Sequence, residues 1–286
     1  MTKMKSVLSL GLASAVLFTA CNSGSETTEQ TTTTETAQTV PAEQKVSNPI
    51  FVTEVGNAQD FPNAQLSFGN VTAMPQGDSV KVSFAFNVKN YQLKNQTTDS
   101  NSKVCNNSDK GQHIHFILDN KPYVALYEPK HEVVLAKNTE HHLLVFLSRS
   151  YHLSLKNKGA AAVMTFKIDG DGKLQKMDNP TTPMVFYSRP KGDYLGKDVD
   201  NLLFDFYVWN SSLATDGYKV KANIKGDGVD TTMVVTNWQP YFLKGLPMGK
   251  PSITLTLIDK DGNKVNGPET EVTREFNLSR DEPMKP

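Results

Sequence analysis

From about Ile50 onward, apolar and polar positions alternate in short runs separated by Gly, Asn, Asp and Pro. This is the pattern of strands with one face buried. Val80, Val82, Phe84, Phe86 and Val88 fall on one side of such a run, with Lys81, Ser83 and Asn87 on the other. His113 to Leu118 reads as a strand that meets Asp119-Asn120, a favoured two-residue hairpin turn, and Lys121 to Leu126 returns from it. No segment of useful length has a helical period.

The pattern is written twice. Phe84, Phe86, Val88, Asn90 and Leu93 match Phe204, Phe206, Val208, Asn210 and Leu213 at a constant offset of 120. Leu143, Val145, Leu147, Phe166 and Ile168 match Ile253, Leu255, Leu257, Phe276 and Leu278 at an offset of 110, and Leu66 and Phe68 match Met184 and Phe186 at 118. The first copy carries a longer loop between Lys94 and Gly111, which accounts for the change of offset. Each copy has about 100 residues and roughly seven strands, the size of an immunoglobulin-like sandwich. The expected fold is therefore all-β, with two tandem immunoglobulin-like β-sandwich domains from an internal duplication. Domain 1 spans 50–172 and domain 2 spans 180–286, joined near Asp178 to Pro183.

The repeat also assigns faces. Ile114, Phe116 and Leu118 match Val220, Ala222 and Ile224, so His113 and His115 match Lys219 and Lys221. Lysine is rarely buried, which places the two histidines on the outer face of their sheet. The same face of copy one carries Ile117, His142, Leu144 and Phe146, where copy two has Ser252, Thr254 and Thr256. Outward Leu and Phe need a cover: the other domain, the long loop or a partner.

The segment before Ile50 is different in kind. Lys3 and Lys5 precede an apolar run from Val7 to Phe18, and Thr19 and Ala20 lead to Cys21. This is the outline of a secretory signal, and Phe18-Thr19-Ala20-Cys21 resembles a bacterial lipobox. The resemblance implies a signal peptide over 1–20, cleavage before Cys21 and acylation of that residue. Residues 21–46 then read as a flexible Thr- and Glu-rich tether, too poor in apolar groups to fold. The expected location is the cell envelope, with the chain exported and held by its lipid at the outer membrane. Lys plus Arg and Asp plus Glu are each 30, so the formal net charge is zero. That balance argues against nucleic acid as a partner.

All six histidines lie between residues 113 and 152. His-x-His on a strand puts two imidazoles on one face about 7 Å apart, a common start to a metal site. If strand 113–118 pairs antiparallel with strand 142–148, His113 and His115 fall near Ser148, Arg149, Ser150 and His152. His113, His115 and His152, with Cys105 from the long loop, form a candidate set for copper or zinc. The alternative is that exposed positions carry His where the sister copy carries Lys. His131, His141 and His142 lie toward the other end of the strands.

Ser148-Arg149-Ser150-Tyr151-His152 and Tyr187-Ser188-Arg189-Pro190-Lys191 each place an Arg among hydroxyls, chemistry that suits a phosphate or carboxylate. The Asp-rich segments at Asp169 and Asp259 read as hairpin turns, since neither has the Gly and Glu spacing of a calcium loop. No catalytic fingerprint or nucleophile–base pair is present, so the chain is expected not to be an enzyme and to need no cofactor unless the histidines hold copper or zinc.

At Gly111-Gln112-His113-Ile114-His115, Phe146-Leu147-Ser148-Arg149-Ser150-Tyr151-His152 and Phe186-Tyr187-Ser188-Arg189-Pro190-Lys191-Gly192 the sequence resembles a family of lipoproteins of Bacteroidota-type bacteria, often called phosphopeptide-binding proteins. The likeness extends to Pro240-Tyr241-Phe242 and Gly245-Leu246-Pro247-Met248-Gly249. It implies a non-enzymatic envelope lipoprotein with a protein or peptide ligand. Arg149, His152, Arg189 and Lys191 are the residues that would meet an anionic one.

Overall fold

Alternating apolar residues build strands throughout the computed structural model, which describes residues 49–281. Those residues fall within one compact unit, 46–286. The lipobox, Cys21 and the tether lie outside the described residues.

In chain order the strands are β1 (Phe51–Glu54), β2 (Gln65–Gln76), β3 (Ser79–Lys89), β4 (His113–Leu118), β5 (Val124–Leu126) and β6 (Lys130–Ala136). They continue with β7 (Thr139–Ser148), β8 (Ala161–Ile168), β9 (Leu174–Met177), β10 (Met184–Arg189), β11 (Gly192–Leu195) and β12 (Leu202–Trp209). The last are β13 (Lys219–Gly226), β14 (Val229–Val235), β15 (Tyr241–Lys244), β16 (Ser252–Ile258) and β17 (Glu271–Ser279). They form four sheets: β2-β3-β6, β5-β4-β7-β8-β9, β1-β15-β12-β10 and β11-β17-β16-β13-β14.

The first two sheets enclose one core around Phe84, Phe116, Val145 and Phe166. The last two enclose another around Phe204, Ala222, Leu255 and Phe276. This is an all-β sandwich fold. The repeat is visible in the backbone as well: Asn90 and Asn210, which follow β3 and β12 directly, both adopt left-handed φ, 56° and 55°. Each amide then donates to a carbonyl of the segment before the neighbouring strand, Asn63 and Pro180 respectively.

Two details depart from the sequence pattern. β1 lies in the first copy by sequence position yet pairs antiparallel with β15 of the second, Phe51 opposite Lys244. The match of Leu66 and Phe68 to Met184 and Phe186 is shifted by one residue. Leu66 pairs with Val88, and its equivalent opposite Val208 is Val185. Val185 and Tyr187 therefore face the second core, while Met184 and Phe186 face away from it. A one-residue slip exchanges the two faces of a strand.

The residues facing away make a third apolar layer. Ile117, Leu144, Phe146 and Val163 of the first sandwich pack on Met184, Phe186 and Tyr207 of the second. The second sandwich is the cover that Leu144 and Phe146 require. The turn Asp119-Asn120, with φ of 52° and 50°, pins this contact at one end. The Asn120 side chain donates to the Val185 carbonyl at 2.8 Å and accepts from the Tyr187 amide at 2.9 Å, occupying the free edge of β10. Elsewhere Lys156 pairs with the fully buried carboxylate of Asp205 at 2.9 Å, joined by Ser154 at 2.7 Å.

Candidate metal centre

β4 pairs antiparallel with β7, His113 opposite Ser148 and His115 opposite Phe146. His113 and His115 thus share the outer face of this sheet, as the repeat requires. That face is not solvent: both side chains are fully buried, under Phe146 and the second sandwich. The third histidine follows β7. Arg149 to Leu153 form a tight turn in which the Arg149 amide donates to the Leu153 carbonyl and the His152 amide to the Arg149 carbonyl, both at 2.9 Å. His152 occupies this turn with φ of 70°, a conformation His adopts more readily than most residues. The turn aims its ring back at the start of β4.

Three ring nitrogens converge there. His113 Nε2 is 2.9 Å from His115 Nε2 and 3.0 Å from His152 Nδ1. All three donor atoms lie within 4.8 Å of one another. Two nitrogens bound to one ion at about 2.0–2.1 Å, with bond angles between square and tetrahedral, stand roughly 2.9–3.4 Å apart. Two of the three separations are at the short end of that range, and the third pair, His115 and His152, lies within 4.8 Å.

Proton bookkeeping sharpens the point. His113 Nδ1 lies 2.8 Å from the Gly111 carbonyl, which can only accept, so Nδ1 carries the proton and Nε2 is bare. A carbonyl partner that fixes the tautomer in this way is the usual outer support of a metal-binding histidine. The single lone pair on His113 Nε2 then faces two other ring nitrogens. Tyr123 Oη, 3.2 Å from His152 Nδ1, competes for the second of these. One cation at the point of convergence satisfies all three rings at once.

Gly111 is required for this arrangement. Its φ is 81°, and a Cβ there would collide with the carbonyls of Lys94 and Asn95. The backbone of 94–95 closes on 111–112 through bonds of 2.8 and 2.7 Å, Lys94 to Gln112 and Gln112 to Asn95. This closure presents the Gly111 carbonyl to His113.

The surroundings keep the rings neutral. Burial pushes His113 down to about 4, and Arg189 adds to it against the opposing Gly111 bond. Burial also holds His115 well below its ordinary value, followed by His113, His152, Arg189 and Lys191. His152 is lowered by burial, then by Arg189, His113 and Lys191. Arg189 and Lys191 come from the end of β10 and the residues after it, so the second sandwich completes the site. Tyr123 stacks on His115 with ring centroids 3.6 Å apart and planes 10° apart. Lys191 Nζ stands 4.1 Å over the Tyr123 ring and donates to the Tyr123 carbonyl at 2.8 Å. Burial, with Arg189 second, lowers Lys191 to about 8. Ser188 Oγ meets His115 Nδ1 at 3.3 Å.

The other expected residues separate cleanly. Cys105 is not in the converging group. A single 3-10 turn, Ser100–Lys103, carries it into a small apolar cluster with Val55, Tyr151, Leu153 and Leu203. Burial, then Asp99, pushes its thiol up to about 12, which makes it a poor metal ligand. Arg149 also points elsewhere: its guanidinium donates to the carbonyls of Gln59 at 2.8 Å and Ser154 at 3.1 Å. His152 and Arg189 do come together in the interior, with Lys191 at its partly exposed edge. Arg189 is only 6% exposed; it donates to Tyr194 Oη at 2.7 Å, and its buried Nε has no protein partner. His131 lies against the Phe116 ring, His141 bonds Asp119 at 2.8 Å, and His142 bonds Thr165 at 3.2 Å. Sequence reasoning missed Tyr123, and it gave Gly111 and Ser188 no role although their motifs were noticed.

No family model matches the chain, and no curated protein matches it. Among solved structures it is similar to the fibronectin(III)-like modules of Clostridium thermocellum CbhA. That match has 11% identity and a TM-score of 0.25, and covers 76% of this chain and 95% of that one. It is also similar to the FN1-FN3 domains of chicken CNTN1, with 9% identity, a TM-score of 0.25, and coverage of 77% and 67%.

Proposed function

We propose that this chain is a non-enzymatic metal-binding protein of the cell envelope that holds copper or zinc on His113, His115 and His152. The observation that carries this reading is the convergence of three neutral imidazoles, with the bare Nε2 of His113 facing two other ring nitrogens at 2.9 and 3.0 Å. Imidazole suits zinc, copper, iron and nickel among the first-row ions, and copper and zinc are the two that the donor set of this reading names. The envelope assignment is supported by the lipobox pattern Phe18-Thr19-Ala20-Cys21. A phosphopeptide-type ligand has less support. Arg149 is spent on backbone carbonyls and Arg189 lies in the interior, where an extended peptide has no access.

The test is a calorimetric titration of the full-length chain with Cu(II), Zn(II) and, under reducing conditions, Cu(I), beside His113→Ala/His115→Ala. One equivalent of at least one ion should bind to the wild type and be lost from the variant. Equal binding by both proteins, or none by either, ends the reading.

A further inference from the structure

We propose that the centre is selective for monovalent copper, and that Arg189 and Lys191 set that selectivity from the second sandwich. The inference rests on the reading of the three histidines as a metal centre and adds which ion it takes.

Among the described residues, the His, Cys, Asp and Glu side chains that converge are His113, His115 and His152. Structural zinc sites take four protein ligands, and a zinc held by three histidines needs a water as its fourth, so zinc would have to bring a water into this buried site. Three uncharged nitrogens suit a singly charged d10 ion, for which trigonal coordination is complete.

His115, Tyr123 and the two cations form a column. Tyr123 lies 3.6 Å from His115, with Lys191 Nζ 4.1 Å and Arg189 Cζ 5.4 Å from its ring centre. Among the described residues, the fixed charges that act most on the three rings are these two cations, and no carboxylate converges with the rings. Coulomb repulsion scales with the charge of the ion, so a divalent ion meets twice the opposition a monovalent ion does. Burial strengthens the effect: all three rings are at most 8% exposed, beyond the reach of screening salt. Among the described residues the arginine's bonded neighbours are neutral hydroxyls, those of Tyr194 and Tyr123, and not carboxylates. The equivalent face of the second copy, with Lys219 and Lys221, opens toward solvent and lacks this enclosure.

The experiment compares full-length wild type, Lys191→Met, Arg189→Met and His113→Ala/His115→Ala. Cu(I) affinity is measured anaerobically against a coloured Cu(I) chelator, and Zn(II) and Cu(II) against competing chelators. The wild type should prefer Cu(I) to Zn(II) by at least about 100-fold, and Lys191→Met should tighten Zn(II) and Cu(II) about tenfold and Cu(I) less. Arg189→Met should act in the same direction. Should Arg189→Met fail to fold, Lys191→Met decides the matter alone, because Lys191 is partly exposed. Two results overturn the selectivity and leave the metal centre standing. One is Zn(II) or Cu(II) binding as tight as Cu(I). The other is an unchanged ratio of divalent to monovalent affinity in the variants. If no ion binds the wild type better than the double alanine variant, the centre itself falls, and the selectivity with it.

Discussion

The same pair of strands occurs twice in this protein and does two different things. β4 and β7 of the first sandwich correspond to β13 and β16 of the second, with Leu147 opposite Ile114 and Leu257 opposite Val220. Their inward faces are interchangeable in kind: Ile114, Phe116, Leu143 and Val145 in one, Val220, Ala222, Ile253 and Leu255 in the other. Their outward faces differ most at the centre, although His142 and Ser252 are both half-buried and Thr256 is buried. The first presents His113, His115, Ile117, Leu144 and Phe146, all buried; the second presents Lys219, Lys221 and Thr254, all partly exposed. A duplicated sandwich keeps its core because the core is needed to fold. The outer face is free to change, and in the first copy it has become both a docking surface for the sister domain and a nest of histidines. The centre therefore belongs to neither sandwich alone.

The comparison can be broken most severely at the buried ion pair. Lys156 neutralises Asp205 and lies 4.8 Å over the Trp238 ring. Lys156→Met leaves a fully buried carboxylate without its cation and should cost about 3–5 kcal/mol in urea unfolding. A loss below about 1 kcal/mol would mean that Asp205 is not relying on Lys156. Phe146→Ala removes a fully buried ring from the layer between the sandwiches and stacked on Tyr207, and should cost about 3–5 kcal/mol. Its counterpart Thr256 bonds Glu271. The cleaner control is the neighbouring Thr254, which reaches only Thr273 at an exposed position. Thr254→Ala should stay within about 0.5 kcal/mol by the same measurement.

Acid should separate the two faces next. The folded protein holds the three histidines of the centre below their ordinary 6.5, His113 at about 4. The unfolded chain protonates them first as the pH falls. Stability is thus complete above about pH 6.5 and is lost as the pH drops toward the folded value. His113 alone accounts for about 3 kcal/mol between pH 6.5 and 4 in the metal-free chain. Arg189 and Lys191 face the same rings and reinforce the direction. Urea midpoints at pH 7 and pH 5 check it, and His113→Phe should flatten the dependence.

How much of this was legible in the sequence varies from strand to strand. The core residues of β3, β8, β16 and β17 followed from alternation, because one side of each strand is plainly more apolar than the other, and those of β7 and β12 followed from their match to the sister copy. β10 defeated the same rule. Met184, Val185, Phe186 and Tyr187 are all buried, two toward each side, so alternation carries no face information there. The histidines were correctly placed on the outer face by their match to Lys219 and Lys221. Their burial was not readable from that match, because it comes from a surface of the other copy. Cys105 was misplaced for a simpler reason. It sits in a loop without period, where nothing in the residue pattern says which way a 3-10 turn will deliver it. Tyr123 stood two residues into the return of a predicted hairpin and gave no chemical signal until its ring was seen against His115.

The most direct test of the centre is X-ray absorption at the metal edge of the copper-loaded, full-length chain. The geometry predicts a first shell of three imidazole nitrogens at about 2.0 Å and no sulfur near 2.3 Å. His113→Ala/His115→Ala should retain no bound copper and so give no such shell. A sulfur scatterer in that shell would return Cys105 to the centre, and a shell without imidazole would contradict the assignment of His113, His115 and His152.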